Sequence, residues 1–243
     1  MTSPLEKLSF ALLCALLVAL GTLAPIHQAA SYHLFADAQS WGGLHNGANV
    51  LSNLAFVAVG LWGLHQSDQA PEALRGSLDL FFIGLVLTGL GSAAYHWAPD
   101  NQTLIWDRLP MTIAFAGAMG ALAYQHLGPQ AVRRWQNAWL YAGPVSVAIW
   151  ALGGDLRLYV VVQFGGLLVG SLWMAVSALN KRAAGFALPW HWVWGGYALA
   201  KACEHADAWV WQLSSELVSG HVLKHLVAAL AVVPVVRALK RHG

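Results

Sequence analysis

Residues 78–97 read LDLFFIGLVLTGLGSAAYHW, twenty positions with one charge near the start, Asp79, and one histidine near the end, His96. At about 1.5 Å per residue a helix of this length spans roughly 30 Å, the thickness of the hydrocarbon core of a bilayer. Comparable apolar runs recur at about residues 8–25, 47–65, 108–127, 136–152, 157–179, 189–210 and 219–237. Over 243 residues the chain is 58% hydrophobic and 10% charged, where soluble domains carry about 25% charged residues. So few charges cannot cover a water-exposed surface. The pattern predicts an all-α polytopic membrane protein: a seven-helix transmembrane bundle plus one additional N-terminal transmembrane helix.

The connections between the runs are short and leave no room for a separate soluble domain. Two units are expected: residues 1–30, an N-terminal hydrophobic helix, and residues 31–243, the seven-helix domain. Lys7 before the first run and Ala29-Ala30-Ser31 after it raise the possibility of a signal peptide. That run is long for one, and cleavage after Ala30 would leave Gln28 where a small residue is needed, so a retained anchor is the preferred reading. With the N-terminus in the cytoplasm, Lys7, Arg75, Arg133, Arg134, Lys181, Arg182, Arg237, Lys240 and Arg241 fall on the cytoplasmic side, whereas Arg108 and Arg157 face out. Nine against two is a positive-inside bias that puts both termini in the cytoplasm.

Cys14 and Cys203 both lie in apolar runs without a CxxC context, so neither a disulfide framework nor a thiolate cluster is indicated. A net charge of +2 without a basic aromatic stripe gives no sign of a nucleic-acid partner. Thirteen Trp residues, many near the ends of the runs, suit either the interfacial belt or bulky core positions. Gly166-x-x-x-Gly170 is a candidate for close helix approach. The sequence sets no oligomeric state.

The run that opens this reading ends in Ser92-x-x-x-His96, and His221-x-x-x-His225 repeats the spacing near the C-terminus. Residues four apart share a helix face, so each pair aims its polar atoms into one space. Asp107 follows eleven residues after His96, where the chain re-enters the bilayer. The topology brings all five to the outer leaflet. Buried ionisable groups in a bilayer are expensive and usually functional. Three imidazoles can hold Zn²⁺ and leave its fourth position to water.

Other polar residues carry weaker expectations. Lys201 and Glu204 share a face in the seventh run and suit an ion pair or a supporting role beside the site, and Asn49 and Asn53 suit interhelical hydrogen bonds. Lys224 falls on a different face from His221 and His225 and would snorkel. Tyr95 and Trp97, flanking His96, suit interface anchors or cleft walls, and His33, His45, His126, His191 and His242 suit solvated loops or helix ends.

The surrounding segments resemble a known family. Gly91-Ser92-Ala93-Ala94-Tyr95-His96, then Asp107-Arg108-Leu109-Pro110-Met111, then Ser219-Gly220-His221-Val222-Leu223-Lys224-His225 resemble the alkaline ceramidases, within the seven-helix membrane hydrolases that include the adiponectin-receptor-like proteins. Asn49-Val50-Leu51-Ser52-Asn53 is similar to that family's first core helix, so the resemblance runs from residue 49 to 225. It implies His96, His221 and His225 as zinc ligands, Asp107 as the acid/base carboxylate and Ser92 as a site hydroxyl. Apart from the resemblance, Asn49, Asn53, Tyr95, Lys201 and Glu204 are candidates for supporting them.

The resemblance implies cleavage of ceramide to sphingoid base and fatty acid. Eukaryotic-type members bind calcium through an acidic N-terminal segment and a glutamate four residues before the Asn-x-x-Ser-Asn asparagine. Here that position is His45, and Phe35-Ala36-Asp37-Ala38-Gln39-Ser40-Trp41 offers only Asp37, which argues against calcium and towards the bacterial branch, hence a bacterial inner membrane. Two alternatives stay open. One is a related lipid ester or amide hydrolase on the same scaffold. The other is a non-catalytic receptor or transport module that holds structural zinc or haem.

Overall fold

The structure, a computed structural model, describes residues 2–180 and 186–241. Lys181 and Arg182, counted in the charge bias, and His242 lie outside the described residues. The elements are helices α1 (Pro4–Gly21), α2 (Gly47–Ser67), α3 (Glu72–Trp97), α4 (Thr103–Leu127), α5 (Val132–Gly153), α6 (Arg157–Leu179), α7 (Trp190–His205), α8 (Asp207–Leu213) and α9 (Gly220–Lys240). No strand occurs among the described residues. α1, α2, α3, α6 and α9 are long and apolar enough to cross a membrane. The protein is a polytopic all-α membrane protein, as its sequence predicts.

Three of the apolar runs are interrupted, the second run at Asn53. The seventh breaks at Ala206 into α7 and α8. In α9 the break falls at Ala231 and Val232, just before Pro234, which has no N–H to continue the helical ladder.

α1 is fastened at both ends. Ser3 caps it by accepting from the Glu6 N–H at 3.1 Å. The buried Glu6 carboxylate accepts from Arg134 Nε at 2.9 Å and Trp135 Nε1 at 3.2 Å. Ser9 Oγ accepts from the Trp173 indole at 2.7 Å. At the far end Arg157 Nη1 donates to the Leu23 carbonyl at 2.6 Å, and the Leu156 N–H donates to Ile26 O at 2.8 Å. Hydrogen bonds from the Arg157 side chain hold the Asp155 carboxyl down to about 2.

α3 and α4 form the closest-packed pair. A Cβ on Gly91 would sit 1.8 Å from the Trp106 carbonyl oxygen, and one on Gly84 would sit 2.3 Å from the Ala114 nitrogen. Small residues let these backbones touch. Trp106 O is also the carbonyl that Pro110, lying inside α4, leaves without its helical donor. Glycine, proline and carbonyl meet one residue before Ser92 and one before Asp107, so this crossing sets those two side chains close together.

The bulky-core reading of the tryptophans holds for part of them. Trp135, Trp139, Trp150, Trp173 and Trp190 are buried, whereas Trp41, Trp97, Trp106, Trp192 and Trp209 are exposed. Gly166 and Gly170 each make room for an indole from a different neighbouring helix, Trp139 and Trp194.

Candidate functional site

His96, from the last turn of α3, meets His221 and His225, from the first turns of α9. The three are at most 5% exposed, and one ligand nitrogen from each lies within 4.8 Å of the other two. Close backbone packing places α9: a Cβ on Gly220 would come 2.2 Å from Cys203 O and 2.7 Å from Asp207 Cα. The Asp207 carboxylate accepts from the His221 backbone N–H at 2.7 Å, and Ser219 caps α9 by accepting from the Val222 N–H at 3.1 Å.

The nitrogens carry the evidence for a cation. His96 Nε2 and His221 Nε2 face each other at 3.3 Å, close to the separation of about 3.3–3.4 Å for two nitrogens bound tetrahedrally to zinc at roughly 2.0–2.1 Å. His225 Nε2 is buried with no hydrogen-bond partner. A metal ion among the three satisfies all of these atoms at once. The three histidines could hold a metal, and their geometry is compatible with zinc.

Ser92, Asp107 and His225 line one cavity of about 330 Å³. Its far end is apolar, with Phe81, Leu85, Met119 and Trp139 among its walls. Its near end is polar, adding Arg108, Lys201, Glu204 and Lys224. Lys201 and Glu204 form the expected ion pair. Lys224 does not snorkel: its ammonium donates to Glu204 Oε1 at 2.9 Å, because the α7–α9 packing turns it onto that carboxylate.

Asn49 and Asn53 are buried, and both bond within their own stretch of chain. Asn49 Nδ2 donates to Asp37 O at 2.8 Å, and Asn53 Nδ2 donates to Asn49 O at 2.8 Å. Tyr95 is 1% exposed, a buried residue rather than an interface anchor, and its hydroxyl lies 3.0 Å from His33 Nδ1.

Several residues at the site had no role assigned to them from the sequence. Ser52 Oγ lies 2.7 Å from His225 Nδ1. Asp207 bridges α9 to the segment before α2, accepting also from the Ala36 N–H at 2.9 Å. Phe35, in that segment, packs its ring 4.7 Å from His96 and 4.7 Å from His221. Tyr32 donates to Glu204 Oε1 at 3.3 Å. The irregular chain between α1 and α2 thus covers the histidines. It has no periodicity to read, and the one available signal was its cluster of aromatic residues.

Fold and site together define a polytopic helical membrane protein whose buried three-histidine centre borders a largely apolar cavity. A family model described as Ceramidase matches residues 46–235, and the chain belongs to that family. Membership implies a hydrolase acting on amide bonds. The covering segment with Tyr32 and Phe35 precedes the matched region. No curated protein matches the sequence.

Proposed function

We propose that this chain is a zinc-dependent intramembrane hydrolase that cleaves the amide bond of a membrane lipid, most simply ceramide to sphingoid base and fatty acid. The carrying observation is the junction of the buried histidine cluster, through His225, with a largely apolar cavity whose wall also carries Ser92 and Asp107. His96, His221 and His225 would hold the ion. Zinc bound there would supply Lewis acidity and lower the pKa of a coordinated water toward about 7.

Asp107 is the one carboxylate on the cavity wall without a lysine partner, which suits it to move a proton. As water adds to the amide carbonyl carbon, Asp107 takes the water's proton. As the C–N bond breaks, Asp107 returns that proton to the departing amine nitrogen, leaving a carboxylic acid and an amine. The Ser92 hydroxyl donates a hydrogen bond to the carbonyl oxygen as negative charge gathers there. The apolar walls exclude water around the acyl chain and fix the amide's depth.

A non-catalytic haem module would leave Ser92 and Asp107 without a task. The deciding experiment combines metal analysis of the purified protein with incubation of wild type and His221→Ala on a panel of acyl lipids. Hydrolysis lost in a folded His221→Ala protein supports the reading; full activity in that variant removes His221 as an essential ligand.

A further inference from the structure

Arg108 is a charged group on the cavity wall that the hydrolytic reading does not use and that, unlike Lys201 and Lys224, has no carboxylate partner. It is 6% exposed. Its guanidinium carbon lies 4.2 Å from the Trp150 ring centroid, 5.0 Å from that of Tyr159 and 5.7 Å from that of Tyr32. Nη2 donates to the Gln28 side-chain carbonyl. Nη1 is buried with no hydrogen-bond partner, and Arg108 forms no ion pair with any described carboxylate.

A guanidinium keeps its charge in proteins, and an unpaired charge inside a membrane protein is costly. Aromatic faces stabilise it in part, but they accept no hydrogen bond from Nη1. Asp107 attracts the guanidinium through space but forms no ion pair with it. Lys201 and Lys224 both engage Glu204, and Asp107 is the proposed proton carrier, so the cavity's three cations face two carboxylates already committed. The arrangement is a preformed seat for one more oxyanion, on the cavity wall shared with Ser92 and Asp107.

We propose that Arg108 determines specificity and that the substrate is a lipid amide whose amine portion carries a carboxylate or a phosphate. This rests on the reading of the chain as a lipid amide hydrolase and replaces ceramide, whose amine portion carries no anion, as the preferred substrate. The acyl side of such a lipid has no charged group and suits the apolar end of the cavity, so the anion belongs to the amine side.

The test uses full-length, metal-loaded protein in detergent and non-cleavable sulfonamide analogues with one hexadecyl chain. Three probes carry glycine, ethanolamine or phosphoethanolamine as the amine portion, and palmitate is the fourth. The wild type is expected to bind the glycine or the phosphoethanolamine probe at least ~10-fold more tightly than the neutral ethanolamine one, as a charged hydrogen bond of this kind supplies; whichever wins tells carboxylate from phosphate. Arg108→Gln should bring all three within about twofold, while Arg108→Lys, which keeps the charge, should retain part of the preference.

A wild type that does not prefer either anionic probe overturns the proposal, and that measurement stands even if Arg108→Gln fails to fold. So does a preference that survives Arg108→Gln. Arg108-dependent binding of palmitate without a preference among the sulfonamides assigns the seat to the product carboxylate, and also overturns it. If the binding preference is found but the metal-loaded wild type cleaves neither ceramide nor the corresponding acyl amides, the hydrolase reading fails and anion recognition by Arg108 stands.

Discussion

Ser52 fixes which nitrogen of His225 is free. Ser52 Oγ donates its single hydrogen to the Asn49 carbonyl at 2.9 Å and lies 2.7 Å from His225 Nδ1. With that hydrogen already used, Nδ1 carries its own proton and donates to Oγ, which leaves Nε2 as a bare lone pair turned toward His96 and His221. Partners of this kind orient metal-binding histidines, and losing one costs about 10–100-fold in metal affinity. Ser52→Ala is expected to show a loss of that size in competition with a chromophoric chelator, with the fold retained. Unchanged affinity would show that Ser52 does not hold the ring.

Metal removal is the second test. Dialysis against a strong chelator is expected to abolish amide hydrolysis, and stoichiometric zinc to restore it, because the three histidines' ligand atoms lie within 4.8 Å of one another and His225 Nε2 is buried without a partner. The measurement is activity alongside metal content by mass spectrometry. Activity that persists in metal-free protein would rule out the zinc mechanism.

Gly91 is the third. An alanine Cβ there would sit 1.8 Å from Trp106 O, a backbone atom that cannot swing aside, so α3 and α4 must separate. Overpacking of this kind costs about 1–3 kcal/mol, and it also pulls Ser92 from Asp107. Gly91→Ala should lower the Tm in detergent by several degrees and reduce turnover more strongly than His33→Ala, a change on the covering segment away from that crossing. An unaltered Tm and activity would refute the close contact.

The N-terminal helix supplies the fourth. We infer that residues 1–30 remain in the mature protein as an anchor, on the strength of the Glu6 contacts to Arg134 and Trp135 and the Ser9 contact to Trp173. Glu6→Ala would leave the Trp135 indole N–H buried without its acceptor, a loss of about 1–3 kcal/mol. Intact mass should include the first helix, and Glu6→Ala should lower the Tm. A mature mass beginning after Ala30, with the Tm of Glu6→Ala unchanged, would identify a signal peptide instead.

Orientation is the fifth. From the charge bias we infer that both termini lie in the cytoplasm and the histidine cluster toward the outer leaflet. A reporter fused after Gly243 is expected to be active only as a cytoplasmic fusion. An external signal would invert the topology and move the site to the inner leaflet.

Much of the molecule was legible locally. Apolar runs long enough to cross a bilayer give helices, and the spacing in Ser92–His96 and His221–His225 puts each pair on one face because the α-helical repeat does. The Lys201–Glu204 pair followed from the same rule. Lys224 shows where the rule stops. Its helical phase alone turned it away from the histidines, yet packing of α7 against α9 brought it to Glu204 and the cavity. Tyr95 and His33 are similar: an aromatic beside a helix end became buried, and a loop histidine became its half-buried partner, once the segment before α2 folded over the site.

By itself the sequence determined that this is a helical membrane protein, where its helices run, and which polar residues a bilayer would not tolerate without a purpose. Those properties depend on periodicity and composition within a few turns of chain. The tertiary structure alone decided that His225 leans on Ser52, that Asp207 ties α9 to the covering segment, that Phe35 lies against the histidines, and that Arg108 sits among three aromatic rings with a donor unspent. Each of these joins residues far apart in the sequence, and such contacts are set by how helices and irregular segments pack, which no local repeat records.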